Sequence, residues 1–135
     1  MATIKRFEDL EIWQLAKELE NLIFLETQKI PLSKDYNLKD QMNASTGSIM
    51  DNIAEGFGRG GRLEFLQFLS ISRGSGNELQ SQLYRSKDRN YFTKETFDVL
   101  IVRTDILCRK ISAMMEYLNQ SSVKGQKFAN RKVVK

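Results

Sequence analysis

Residues 48–61, SIMDNIAEGFGRGG, constrain the fold of this chain more than any other stretch. The first half repeats apolar residues at helical spacing, and the second half places four glycines and one arginine within residues 56–61. Glycine commonly ends helices because it adopts the left-handed backbone conformation without steric cost. We therefore expect a core helix that ends in a tight turn and is followed directly by a second helix.

Helical periodicity recurs along the chain in segments that are bounded by helix-breaking or helix-capping residues. The segments cover about residues 8–29, 33–56, 62–90 and 93–119. Pro31 stops the first, Ser33 or Asn37 opens the second, and Thr93 is a favourable N-cap for the fourth. Because no segment shows strand alternation, we predict an all-α fold, an antiparallel up-down four-helix bundle in residues 1–120.

Small residues mark the expected contact between the second and third helices. Ala44, Ser45 and Ser48 give the second helix a small face, and Gly76 lies on the core side of the third. The third helix should continue through residues 73–76, because its apolar stripe keeps its phase across the glycines. We expect Gly76 to meet the small face of the second helix.

Several classes of function are disfavoured by the composition. The chain has no histidine, which removes the commonest general base and the imidazole metal ligand. Its one cysteine, Cys108, lies in an apolar periodic segment, so we interpret it as a core residue in a reducing cytoplasm. Residues 56–61 match the glycine pattern of dinucleotide-binding loops, but that pattern must follow a strand. We predict no enzyme activity, metal site or cofactor, and no membrane span.

The positive charge of the chain is concentrated at its C-terminus. Residues 121–135 hold five of the 21 basic residues and none of the 17 acidic ones, so residues 1–120 have a net charge of −1. We expect residues 121–135 to form a basic, disordered tail. Basic clusters bind nucleic-acid phosphates through counterion release. The candidate nucleic-acid-binding residues are Arg59, Arg62, Arg73, Arg85, Lys87, Arg89, Lys124, Lys127, Arg131 and Lys132.

Arg73 stands out among these residues because it projects into the apolar sector of its helix. A long cation in such a place extends its charge to solvent or finds a carboxylate. Asp51 and Glu55 of the second helix are the candidate partners for a structural ion pair. The alternative is that Arg73 contributes to an anion-facing surface.

Two of the helices have more apolar surface than one core stripe requires. Coherent second faces of this kind are typical of subunit interfaces. The residues that project away from the core stripes of the first and fourth helices are Leu10, Trp13, Phe24, Val99, Val102, Ile106 and Tyr117. We predict self-association through them, the alternative being that the tail or a loop covers these faces.

Four stretches together carry a family resemblance: FEDLEIWQLA, SIMDNIAEGFGR, FLQFLSISRGSGNELQSQL and YFTKETFDVL. Over residues 4 to about 119, the chain resembles the four-helix-bundle family labelled S23 ribosomal protein or 23S rRNA intervening-sequence protein. The resemblance implies a bundle that forms ring-like homopentamers. Some members are encoded within intervening sequences of large-subunit rRNA genes. The matching signature positions include Asn52, Glu55, Gly56, Arg59, Arg73, Gly74 and Glu78.

A related branch, the accessory variability proteins of diversity-generating retroelements, implies a pentamer that binds nucleic acid through a basic surface and partners a reverse transcriptase. Our leading hypothesis is therefore a non-enzymatic cytoplasmic homo-oligomer that binds RNA or DNA. The alternative is a protein–protein adaptor or scaffold without nucleic-acid affinity, in which the acidic first helix or its Trp13 and Phe24 face docks a partner.

Overall fold

Four long helices joined by short turns make up the computed structural model, which describes the backbone of residues 4–129 and the side chains of residues 4–120. The helices are α1 (Glu11–Thr27), α2 (Tyr36–Gly58), α3 (Arg62–Asp88) and α4 (Lys94–Ala129), with 3-10 turns at Phe7–Asp9 and Leu32–Lys34. No β-strand occurs in this part of the chain. Each helix packs against the next, and α1 packs against α4. The predicted all-α bundle is confirmed.

One apolar stripe from each helix faces the axis of the bundle. The stripes have the helical spacing seen in the sequence, so the apolar side chains of all four helices are buried against one another. The largest fully buried side chains are Leu19, Ile23, Leu32, Leu38, Met42, Ile49, Ile53, Leu69, Leu79, Leu83, Leu107 and Ile111.

Side-chain caps set the first residues of α2 and α4. Thr93 Oγ1 accepts a hydrogen bond from the Thr96 amide at 3.0 Å, which confirms the predicted N-cap of α4. The cap of α2 is Asp35, whose Oδ1 accepts from the Leu38 amide at 3.3 Å, so α2 begins at Tyr36, one residue before the later of its two predicted starting points. The oxygen of Asp35 satisfies an amide that has no partner inside the helix.

The turn between α2 and α3 contains the predicted left-handed glycine, but the helix before it ends later than expected. Helix α2 continues to Gly58, and the left-handed residue is Gly60, with φ of 83°. Gly56 lies inside the helix, where a Cβ would stand 2.6 Å from Phe68 Cβ and 3.1 Å from Phe65 Cδ1. Gly56 therefore allows close packing of α2 on α3, and Gly60 makes the turn.

Gly76 also has a different neighbour from the one expected. Helix α3 is continuous through residues 73–76, as predicted. A Cβ at Gly76 would collide with Cys108 Sγ of α4, whereas its nearest approach to α2 is 3.9 Å, at Ile49 Cδ1. The small face of α2 instead reaches α3 through the hydroxyls of Ser48 and Ser75, which are 2.7 Å apart.

Leu10 belongs to the core and not to an outward face. Its side chain is 4% exposed, which contradicts its assignment to a subunit interface. The reason is local, since Leu10 has an extended backbone (φ −77°, ψ 128°) between the 3-10 turn and α1. A helical wheel projected from α1 therefore assigns its side chain the wrong direction.

The fourth helix is much longer than its neighbours. It runs to Ala129, ten residues beyond the predicted end near Asn119. At 1.5 Å per residue, α4 is about 54 Å long and α3 about 40 Å, so α4 overhangs the bundle. Its overhang lies at the end of the bundle that holds the α2–α3 turn. Within the residues described, no helix is both long and apolar enough to cross a lipid bilayer.

Candidate functional site

The predicted nucleic-acid-binding residues occupy three separate places on the bundle. Arg59 and Arg62 flank the α2–α3 turn, at what we call the turn end. Arg73 lies halfway along α3, facing α4. Arg85, Lys87 and Arg89 are in the last turn of α3 or just beyond it, at what we call the cap end. Because α3 spans about 40 Å, these residues do not form one continuous site.

At the cap end, the basic side chains connect helices to one another. Arg89 Nη1 donates to Asp35 Oδ2 at 2.8 Å, and Tyr91 OH donates to the same oxygen at 2.8 Å. Arg85 Nη1 donates to Gln41 Oε1 at 2.9 Å. These contacts fasten the start of α2 to the end of α3. Lys87 Nζ lies 4.6 Å from the ring centroid of Phe97 on α4, within range of a cation–π interaction.

The pKa values at this end reflect the same contacts. The hydrogen bond from the Tyr91 hydroxyl lowers the pKa of Asp35 most. Burial opposes this effect, and the Leu38 amide and the Arg89 guanidinium lower the pKa further, so the pKa lies below its usual value. The carboxylate in turn raises the pKa of the Tyr91 phenol, and burial adds to that increase. Asp35 is therefore ionised in the folded state over a wider pH range than in the unfolded chain.

We expect Asp35→Asn to lower the melting temperature at neutral pH, because the neutral amide loses the charge that Arg89 and Tyr91 stabilise. A carboxyl with a lowered folded-state pKa stabilises the fold above its unfolded pKa, near 3.8, and loses this effect as the pH falls through the folded value. The difference between the two proteins should thus shrink below that pH. Melting curves by circular dichroism from neutral to acidic pH measure this.

Asp40→Asn is the matched control, since Asp40 is an exposed carboxylate on the same helix. Its melting temperature should differ little from that of the wild type at every pH measured. A melting-temperature gap for Asp35→Asn that is constant across the acidic range would contradict the assignment of the effect to this charge.

At the turn end, Arg59 forms an ion pair, whereas Arg62 forms none among the described side chains. Arg59 Nη2 donates to Glu55 Oε2 at 2.8 Å and its guanidinium lies 5.1 Å from the ring centroid of Phe68. Arg62, the first residue of α3, is partly exposed and forms no ion pair among the described side chains. Surface ion pairs such as Arg59–Glu55 are weak, so a phosphate can compete for the guanidinium.

The topology brings further basic side chains to the turn end, of which Arg6 is paired with Glu8 at 2.6 Å. The 3-10 turn Phe7–Asp9 packs against α2, which places the exposed side chains of Lys5 and Arg6 there. Sequence analysis missed both, although an antiparallel bundle puts the start of the first helix beside the end of the second. Lys124 and Lys127 lie in the overhang of α4, but their side chains are outside the described residues. Arg131 and Lys132 lie outside them entirely.

Arg73 does not pair with the second helix. Its Nη1 donates to Ser112 Oγ on α4 at 3.3 Å, so the expected ion pair with Asp51 or Glu55 is wrong. The rotation of α3 turns residue 73 towards α4, and the opposite flank of α3 faces α2. Glu55 is exposed and bonds Arg59 instead.

The predicted interface residues divide between two surfaces and the core. Val99, Val102, Ile106 and Tyr117 are 51%, 53%, 43% and 64% exposed, on the outward side of α4, and we call them the α4 stripe. Phe24 is also exposed, but α1 carries it on a different surface from the edge that contacts α4. Trp13 is half-buried, with its ring centroid 5.1 Å from that of Phe7.

The signature positions serve two purposes. Asn52 and Gly56 are structural, since Asn52 Nδ2 donates to the Ser48 carbonyl at 2.8 Å and Gly56 admits Phe68. Gly74 and Glu78 lie on the exposed side of α3, and a Cβ at Gly74 would meet nothing within 4 Å. The packing of α3 therefore does not require glycine at position 74.

The chemistry of the remaining polar groups is limited. Cys108 is buried; burial and the nearby Asp105 raise the pKa of its thiol, while Arg73 lowers it to a lesser extent. Over the described residues, no three side chains of metal-ligating type come together.

Comparison with known proteins identifies the family. The family model described as "23S rRNA-intervening sequence protein" matches residues 8–113, most of the chain. A crystal structure of a protein of unknown function from the S23 ribosomal protein family of Bacteroides thetaiotaomicron superposes with a TM-score of 0.72 and 19% identity, covering 78% of this chain and 95% of that one. No functionally curated protein matches. The chain therefore belongs to the 23S rRNA-intervening sequence protein family.

Proposed function

We propose that the protein is a non-enzymatic cytoplasmic homo-oligomer that binds RNA or DNA through basic residues repeated around the assembly. The observation that carries the proposal is the α4 stripe, in which four apolar side chains are each about half exposed on one face. An exposed row of apolar side chains on one helix face is typical of interfaces. A second copy of the chain is the partner we propose, since the family resemblance implies rings of five subunits.

Nucleic-acid binding follows from what such a ring would repeat. Residues 1–120 of one subunit have no net positive charge, since their net charge is −1. A ring would present the turn end several times, with Arg59, Arg62 and the basic overhang of α4 at each repeat. Linked weak sites bind a polymer far more tightly than one site does. Binding of this kind should fall steeply with salt.

We expect size-exclusion chromatography with light scattering to give a multiple of the 15.6 kDa subunit mass. Labelled RNA or DNA should co-elute at low salt and dissociate at high salt. Val102→Asp places a charge in the middle of the α4 stripe, so it should yield smaller species. Its nucleic-acid affinity should fall as well, because the repeated sites separate.

Ile71→Asp is the matched control, because Ile71 is 50% exposed on α3, away from the α4 stripe. It should retain the subunit number and the affinity of the wild type. A monomeric wild type at high concentration would contradict association through α4. An affinity that does not change between low and physiological salt would contradict the nucleic-acid function.

The adaptor alternative is favoured by one observation, the exposed Phe24 and Leu25 on the acidic helix α1. A partner protein docked there should be recovered with the tagged protein after nuclease treatment. Its loss in Phe24→Asp, together with a salt-independent absence of RNA binding, would support the adaptor over the nucleic-acid function.

A further inference from the structure

A groove between α3 and α4, midway between the turn end and the cap end, has the composition of an anion site. We call it the Arg73 groove. Six side chains that approach from the two helices define its chemistry: Arg73, Asn77, Cys108, Arg109, Ser112 and Glu116. Ala113 of α4 also lines the groove.

Arg73 is the central feature of this groove. Its side chain is half-buried, and its Nη1 makes a single hydrogen bond, to Ser112 Oγ at 3.3 Å. No carboxylate lies within ion-pair distance of its guanidinium among the described side chains. A guanidinium has five N–H donors in a planar fork that matches carboxylate and phosphate oxygens. A half-buried guanidinium with one long hydrogen bond retains most of this donor capacity.

Further donors converge on the same groove. Asn77 contributes an amide, Ser112 a hydroxyl, and Arg109 a second guanidinium. Arg109 Nε is occupied by Asp105 Oδ2 at 2.8 Å, but its side chain is largely exposed, so its terminal nitrogens can turn to a ligand. The lining thus holds two guanidinium groups, of which Arg109 is paired with Asp105, and one carboxylate, Glu116. This set of donors favours an oxyanion over a cation or an apolar ligand.

We propose that the Arg73 groove binds a phosphate group, with Arg73 as the principal ligand and Asn77, Ser112 and Arg109 completing the site. The inference deepens the proposed function, since a backbone phosphate of RNA or DNA is the source that a nucleic-acid-binding ring would supply. A free phosphorylated small molecule offers the same chemistry. The site would repeat once per subunit and lie between the basic groups of the two ends.

Cys108, the single cysteine, provides a reporter inside this groove. Its alkylation by iodoacetamide can be followed by mass spectrometry at mildly alkaline pH, because burial raises the pKa of the thiol. Inorganic phosphate and a single-stranded oligonucleotide are the probes, at ionic strength held constant with chloride. Bound phosphate should slow alkylation by a factor of 1 + [L]/Kd, about tenfold at nine times Kd.

Arg73→Gln should abolish this protection. Asn77→Asp should abolish it too, and since Asn77 is exposed, the substitution adds repulsion without touching the core. Arg103→Gln, which removes an exposed charge of α4 on the side facing α1, should leave the protection unchanged. Circular dichroism verifies that each variant is folded.

The outcomes separate the site from the proposed function. Protection by phosphate alone supports the groove and assigns it to a small phosphorylated ligand, whereas protection by both probes assigns it to the nucleic acid. Absence of protection by either probe in the wild type overturns the inference. Oligonucleotide binding that neither protects Cys108 nor weakens in Asn77→Asp also overturns it, and leaves the proposed nucleic-acid function in place.

Discussion

Gly56→Ala should destabilise the bundle, although alanine is normally the better helix residue. A Cβ at this position would lie 2.6 Å from Phe68 Cβ, an atom fixed close to the α3 backbone, so the helices must move apart. Overpacking of a core costs about 1–3 kcal/mol. The gain in helix propensity of about 1 kcal/mol offsets only part of that cost. Urea unfolding followed by circular dichroism measures the net free energy of unfolding.

Gly47→Ala and Gly74→Ala are the matched controls for this prediction. Both glycines lie inside helices, and a Cβ at either would meet nothing within 4 Å. Each substitution should therefore stabilise the protein by up to about 1 kcal/mol. The difference between Gly56→Ala and these controls isolates the packing cost. Equal effects at the three positions would contradict the close approach of α2 and α3 at Gly56.

Gly76→Ala should also destabilise the bundle, and removal of the Cys108 sulfur should reverse the sign of its effect. A Cβ at Gly76 collides with Cys108 Sγ, and overpacking of this kind costs about 1–3 kcal/mol. In a Cys108→Ala background the obstruction is absent. The same glycine-to-alanine change should then stabilise α3 by up to about 1 kcal/mol.

A double-mutant cycle of free energies of unfolding tests this coupling between α3 and α4. The two changes touch the same space, so their effects should not add. Additive effects within experimental error would show that Gly76 and Cys108 do not compete for space. The thiol provides a second readout, because a displaced Cys108 in Gly76→Ala should react faster with iodoacetamide than in the wild type.

Much of the fold follows from local patterns in the sequence, and the differences arise from irregular backbone or from contacts between distant residues. Apolar spacing and breakers predicted four helices and the continuity of α3 through residues 73–76. The capping bond of Asp35 is local, to the Leu38 amide, but its contacts with Arg89 and Tyr91 span 54 and 56 positions and could not be read from the sequence. Leu10 was misplaced because a helical wheel does not apply to a residue with extended backbone.

The candidate site was less predictable than the fold for the same reason. Basic residues are visible in the sequence, but the topology decides which of them meet, and it separates Arg62 from Arg85 by most of the length of α3. The apolar pattern shows which side of α3 faces the core, but it does not fix the rotation of α3 about its own axis. That rotation decides which neighbouring helix Arg73 contacts. Lys5 and Arg6 reach the turn end only because the helices alternate in direction.

The seam between α1 and α4 has a consequence for how the bundle opens. It joins the first and last helices, so forming it closes the longest loop in the chain and costs the most chain entropy. Its polar contacts are exposed ion pairs, Glu18–Arg103 at 3.8 Å and Glu11–Lys110 at 3.3 Å, which contribute little stability. The central hairpin of α2 and α3 is joined by the Ser48–Ser75 hydroxyl bond, by a buried bond that Ser72 Oγ donates to the Ile49 carbonyl at 2.9 Å, and by the close contact at Gly56. Local unfolding should therefore begin with the separation of the two terminal helices, while the two central helices remain packed together.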